Sequence, residues 1–168
     1  MASKNIADQF AYFMCVELKH YLREKLNWEL RGPKGWNVGS QSSDITGYAL
    51  KTNEPRVLIE IERRRYAPVS NVAKVWSWII DLEKARKEKL QTRPVLIQAF
   101  SAHYSEDSSR RKHTKLIGTL MKEAKVADYI CLRFPYDPRE KAKRCAGACQ
   151  RQAKQLAGQV VESLSGRL

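Results

Sequence analysis

The run RPVLIQAFS, residues 93 to 101, is apolar at odd and even positions alike. A strand with one wet face alternates apolar and polar residues, so a strand of this composition is covered on both faces. The requirement is for helices on either side of a sheet, and the rest of the chain offers them. Residues 4 to 30 carry a helical pattern, with Phe10, Phe13, Met14, Glu17 and Tyr21 on one side and Leu18, Leu22 and Leu26 beside them. Gly32, Pro33 and Gly35 stop it. Residues 36 to 40 read as a short strand, and Ile45 to Lys51 and Arg56 to Arg63 as two strands joined by a turn containing Asn53 and Pro55. Ser70 is expected to cap a helix through NVAKVWSWIIDLEKARKEK, residues 71 to 89. Beyond the 93–101 strand come the polar loop AHYSEDSSRRKH, a helix of about 110 to 124, the strand YICLRF and a long helix from about 138 to 164. This order predicts an α/β fold in one domain over residues 1 to 168, with a mixed central sheet flanked by helices and a long C-terminal helix.

Composition narrows the partners. At 168 residues the chain can bury roughly 70% of the surface it exposes unfolded. It lacks both the apolar run of about 18 residues that crosses a bilayer and the layout of a secretory signal, so a cytoplasmic location is the expectation. Thirty-one basic residues against eighteen acidic ones, a formal charge of +13, give a surface that attracts polyanions, and nucleic acid is the expected partner. The four cysteines do not form a disulfide framework in a chain of this kind. Cys145 and Cys149 fall instead on an apolar stripe with Ala142, Ala153, Leu156 and Val160. His103 and His113 are too isolated to build a zinc site or a histidine-based nuclease.

The acidic residues are placed unlike a solvated strand end. Strand periodicity sets Leu58, Glu60, Glu62 and Arg64 on one face and Val57, Ile59, Ile61 and Arg63 on the other. If the two strands form an antiparallel hairpin, Asp44 at the start of the first lies beside Glu60 near the end of the second. Two converging carboxylates repel and are costly to desolvate unless a cation sits between them. Hard oxygen ligands suit Mg²⁺, or Mn²⁺ in its place, and leave positions open for a substrate phosphate. Glu17, among the apolar residues of the first helix, adds a third acid, with Glu24 as the fallback.

This arrangement resembles the PD-(D/E)XK nuclease superfamily. The matching residues are Asp44 in SDITGY, with Ser43 where the family often has Pro, and Glu60 and Glu62 in VLIEIE, with Glu in the Lys place. Glu17, eleven residues before Trp28, matches the acid that many members carry on the first helix, and RPVLIQAF looks like the next core strand. The resemblance covers about residues 5 to 105 and implies an α-β-β-β-α-β restriction-endonuclease-like core, with residues 106 to 168 a helix-strand-helix elaboration. It further implies phosphodiester hydrolysis in DNA (or RNA) with divalent ions and no organic cofactor. Asp44, Glu60 and the backbone carbonyl of Ile61 would hold the metal, Glu17 would serve a second ion or a bridging water, and Glu62 would contact the metal-bound water. Lys51 or Lys74 would supply the missing positive charge. Because some restriction enzymes of the family carry Glu in the Lys place, that setting is expected first, and repair or junction resolution next. A non-cleaving binding protein on the same fold is the alternative.

Basic residues flank the acids. Arg63, Arg64 and Arg65 continue out of the strand, and Arg110, Arg111 and Lys112 lie in SSRRKH, where a helix start near Ser108 or Ser109 also favours phosphate. Trp76 and Trp78 are expected in the core or an interface, while Trp36 stands in a Gly-rich loop. Cutting both strands of a duplex calls for two sites, so a homodimer through the last helix's stripe or the Trp76–Trp78 helix is the expected assembly.

Overall fold

The computed structural model describes residues 6–31, 43–63, 67–135 and 146–165. Their elements run α1 (Ile6–Leu26), β1 (Trp28–Arg31), β2 (Ile45–Ala49), β3 (Pro55–Glu62), α2 (Val69–Arg86), β4 (Val95–Ser101), α3 (Ser109–Glu123), β5 (Asp128–Phe134) and α4 (Ala146–Ser165). One sheet carries the strands in the order β1-β2-β3-β4-β5, antiparallel from β1 to β3 and parallel from β3 to β5. The expected α/β class with a mixed sheet is therefore observed.

The two parallel connections cross the sheet through α2 and α3, and adjacent crossovers of one hand put both helices on the same face. There Val72, Val75, Trp78 and Ile79 of α2 and Met121 of α3 pack on Leu58 and Leu96. On the opposite face Phe10, Met14, Leu18 and Leu22 of α1, with Cys149, Ala153, Leu156 and Val160 of α4, cover Val57, Ile59, Ile61 and Ile97. Strand β4 is buried along its whole length, as its two-sided apolar pattern requires.

The first helix stops earlier than its pattern suggests. Asn27 takes a left-handed φ of 56° and turns the chain, and Trp28–Arg31 then pair with β2 as an edge strand rather than continuing to residue 30. Leu26 and Leu30 sit four apart, a helical spacing, but Trp28 and Leu30 also alternate, and strand pairing decides between the two. Ser70 is not the cap of α2: Pro68 holds that position and the Ser70 hydroxyl donates to the Ala67 carbonyl instead. The expected strand at 36 to 40, Trp36, Cys145 and the start of the last helix lie outside the described residues.

Of the surfaces named for a homodimer, the described residues pack within the chain. The α4 stripe is packed against α1, and Trp78 is buried under α2 with Trp76 against the same cluster. Among the described residues no helix is long and apolar enough to cross a membrane.

Gly118 sets the approach of α3 to the sheet. A Cβ at this position would lie 2.5 Å from the ring of Tyr129, whose hydroxyl is anchored on Gln98 Oε1 at 3.0 Å. Gly118→Ala should therefore destabilise the protein by about 1–3 kcal/mol in chemical denaturation, although Ala is the better helix former by about 1 kcal/mol. Equal or higher stability would show that the ring moves aside freely.

Candidate active site

The β2–β3 hairpin brings the first two acids together. Ile45 pairs with Ile59, so Asp44 falls opposite Glu60, and Asp44 Oδ2 accepts the Ile61 backbone N–H at 2.7 Å. In an extended strand a residue's N–H and C=O point to the same side, so the Ile61 carbonyl also faces the β2 side where Asp44 stands. Glu60 points to the α2 face and is 1% exposed. Its Oε1 accepts a hydrogen bond from Lys74 Nζ at 2.8 Å, and the Lys74 ammonium also stands over the Trp78 ring. Burial, then the Asp44 charge, push the Glu60 carboxyl up to about 8, against the opposing pull of Lys74.

Glu62 is turned inward. Fully buried, its Oε1 accepts from Asn71 Nδ2 at 2.8 Å and from Gln98 Nε2 at 2.7 Å. Gln98 donates also to the Pro68 carbonyl, and its Oε1 accepts from the Tyr129 hydroxyl. Asn71 Oδ1 in turn lies 3.2 Å from Lys74 Nζ. A continuous polar line thus runs from Glu60 through Lys74, Asn71, Glu62 and Gln98 to Tyr129, beneath α2. Ser43 is buried and bonded to the Ile45 carbonyl and the Thr46 hydroxyl, which fixes the approach to Asp44.

The remaining residues singled out in the sequence are dispersed. Cys15 is the α1 residue whose thiol feels Asp44, and burial with that charge pushes it up to about 11. Glu17, two residues on, projects about 200° around the helix, to the flank shared with Tyr21, whose hydroxyl bonds Ser165 of α4. Glu17 forms with Asp44 and Glu60 no three-acid group able to hold a metal ion. Glu24 is exposed and paired with His20. Lys51 follows the far end of β2, away from Asp44. Of the basic residues, Arg63 is half-buried just past β3, with its carbonyl accepting from Ser101. Arg110 is exposed, Lys112 pairs with Asp107 at 3.0 Å, and Arg111 is buried over Phe100. Arg64 and Arg65 lie outside the described residues.

Asn71 and Gln98 are site residues that sequence reasoning missed. Gln98 had a signal, as the one hydrogen-bonding side chain between Val95 and Phe100; Asn71 had its place one helical turn before Lys74.

Among the described residues no group of three His, Cys, Asp or Glu side chains stands close enough to hold a metal ion. The pair Asp44 and Glu60 nonetheless sets two hard oxygen donors opposite one another, with the Ile61 carbonyl on the same side, a donor chemistry that suits a hard divalent cation. No family model matches this chain, and no curated protein matches it.

The Glu60 proton leads to a pH dependence. The folded carboxyl lies above its ordinary 4.5, so the native state holds this proton more tightly than the unfolded chain. That contribution to stability is complete at low pH and is lost as pH rises from about 4.5 to about 8. In EDTA, thermal melts of the wild type should fall over this window more steeply than those of Glu60→Gln. Parallel curves would mean that Glu60 ionises normally.

Proposed function

We propose that this protein is a metal-dependent endonuclease that hydrolyses phosphodiester bonds in DNA. The observation that carries the reading is the bond from the Ile61 N–H to Asp44, which fixes that carboxylate beside buried Glu60 at the carboxyl end of β3. Ligands gather at this end of parallel strands in open α/β sheets. Asp44, Glu60 and the Ile61 carbonyl would hold Mg²⁺ or Mn²⁺, without Glu17. Such an ion, when bound, supplies a water of lowered pKa and neutralises charge on the phosphate.

The chain's own groups divide the remaining work. Lys74 brings the positive charge that Glu62 cannot, because its ammonium is already 2.8 Å from Glu60. Glu62 has no open face and acts through Asn71 and Gln98, holding α2 so that Lys74 stays over β3. Arg63, Arg110 and Lys112, with the net charge of +13, draw the DNA backbone to this end of the sheet. Restriction is the setting that the Glu-for-Lys pattern favours, ahead of repair or junction resolution.

One observation favours a second reading, a DNA-binding protein without cleavage: Glu62 is locked in the buried network instead of facing the carboxylate pair. Incubation of supercoiled plasmid with Mg²⁺, Mn²⁺ or EDTA separates the two. Cleavage should require metal and vanish in Asp44→Ala, and Lys74→Met should lower it by roughly 100-fold with DNA binding in EDTA retained. Salt-sensitive binding with no cutting in any metal would leave the binding protein.

A further inference from the structure

Arg111 is a buried cation that the carboxylate pair does not use. It is 7% exposed, its guanidinium lies over the Phe100 ring, and Nε and Nη1 are shut off from solvent with no hydrogen-bond partner among the described residues. A guanidinium in that state is costly unless an anion meets it. Its ion-pair partner is Glu106, whose Oε1 stands 3.6 Å from Arg111 Nη1 and 3.5 Å from Arg133 Nη1, too far for a hydrogen bond to either. Glu106 itself is 74% exposed, in the short loop before α3.

These groups meet at a helix start. Arg111 lies in the first turn of α3, which is capped by the Ser108 hydroxyl and contains no acid to offset its positive end. Arg133 is in register with Phe100 on β4 and, through it, with Glu62 on β3. It therefore sits two strand spacings, about 10 Å, from the carboxylate end of β3.

We propose that Arg111, Arg133 and the start of α3 form a phosphate clamp for the nucleic-acid strand, and that the Glu106 carboxylate stands in for the phosphodiester until DNA displaces it. A phosphate has the charge and the several acceptor oxygens to bond both guanidinium groups at once, which a single shared Oε1 does not. The clamp rests on the nucleic-acid part of the reading above and is independent of cleavage. It binds backbone, so it adds affinity and register without choosing a sequence.

Binding of a short labelled duplex DNA in EDTA, followed by anisotropy over a range of salt, tests it. Arg133→Gln is used because Arg133 is 44% exposed and its loss leaves the core intact. It should weaken binding about tenfold and reduce the slope of log affinity against log salt by about one. Lys154→Gln, which removes the same charge from exposed α4, should do neither. Glu106→Gln should tighten binding several-fold by removing the competing carboxylate. The clamp is overturned if Arg133→Gln matches Lys154→Gln, or if Glu106→Gln lowers the melting temperature and leaves affinity unchanged, as a mere helix-end charge would. If plasmid cleavage fails while the Arg133 and Glu106 effects appear, only the nuclease reading falls. If the wild type shows no salt-dependent binding, both fall.

Discussion

The site hangs on a carboxylate sealed from water. Glu62 has two amides on one oxygen, Asn71 from α2 and Gln98 from β4, and so joins a helix to two strands at one point. A buried polar group that loses a hydrogen-bond partner costs about 1–3 kcal/mol, so both amides hold it in place. Since Asn71 and Lys74 share one flank of α2, a shift of Asn71 carries Lys74 with it. The geometry at Glu60 is thus governed by a residue that never reaches solvent.

The two ends of the sheet are chemically unequal. At the β2 start and the β3 end, burial first and the Asp44 charge second push the Glu60 carboxyl up, against the pull of Lys74. At the opposite end, Glu54 is equally buried but has Arg56 and Arg86 within 3.4 Å. A buried acid between two guanidinium groups is a structural joint. A buried acid beside another acid lacks that matched countercharge, so it holds its proton more tightly or takes up a cation.

Much of this was legible in the sequence. The parity of VLIEIE places Glu60 and Glu62 on the α2 face and Val57, Ile59 and Ile61 on the other, and the hairpin brings Asp44 to Glu60. The two-sided run of β4 required both helical layers. What failed depended on longer-range geometry. Trp28–Arg31 fit a helix by spacing and a strand by alternation, and only pairing with β2 decides. Glu17 shares an apolar neighbourhood with Phe13 and Tyr21, yet periodicity does not say which flank of α1 faces Asp44. Lys74 and Lys51 are equal candidates for the missing charge in the sequence, and Arg111 stands level with Arg110 and Lys112, since nothing local shows that Lys74 meets Glu60 and that Arg111 tucks over Phe100.

The pairing of α1 with α4 has a consequence for how the chain comes to be folded. These helices, from opposite ends of the described sequence, together close one face of the sheet, and Tyr21 bonds Ser165 across them. A nascent chain that has emerged only through β5 holds every strand of the sheet, with the apolar side chains of Ile130 and Leu132 still waiting for α4. The parallel half is then assembled but uncovered, a state open to chaperones and to pairing with other chains. Completion of the fold therefore waits on α4, made well after the residues of the carboxylate pair.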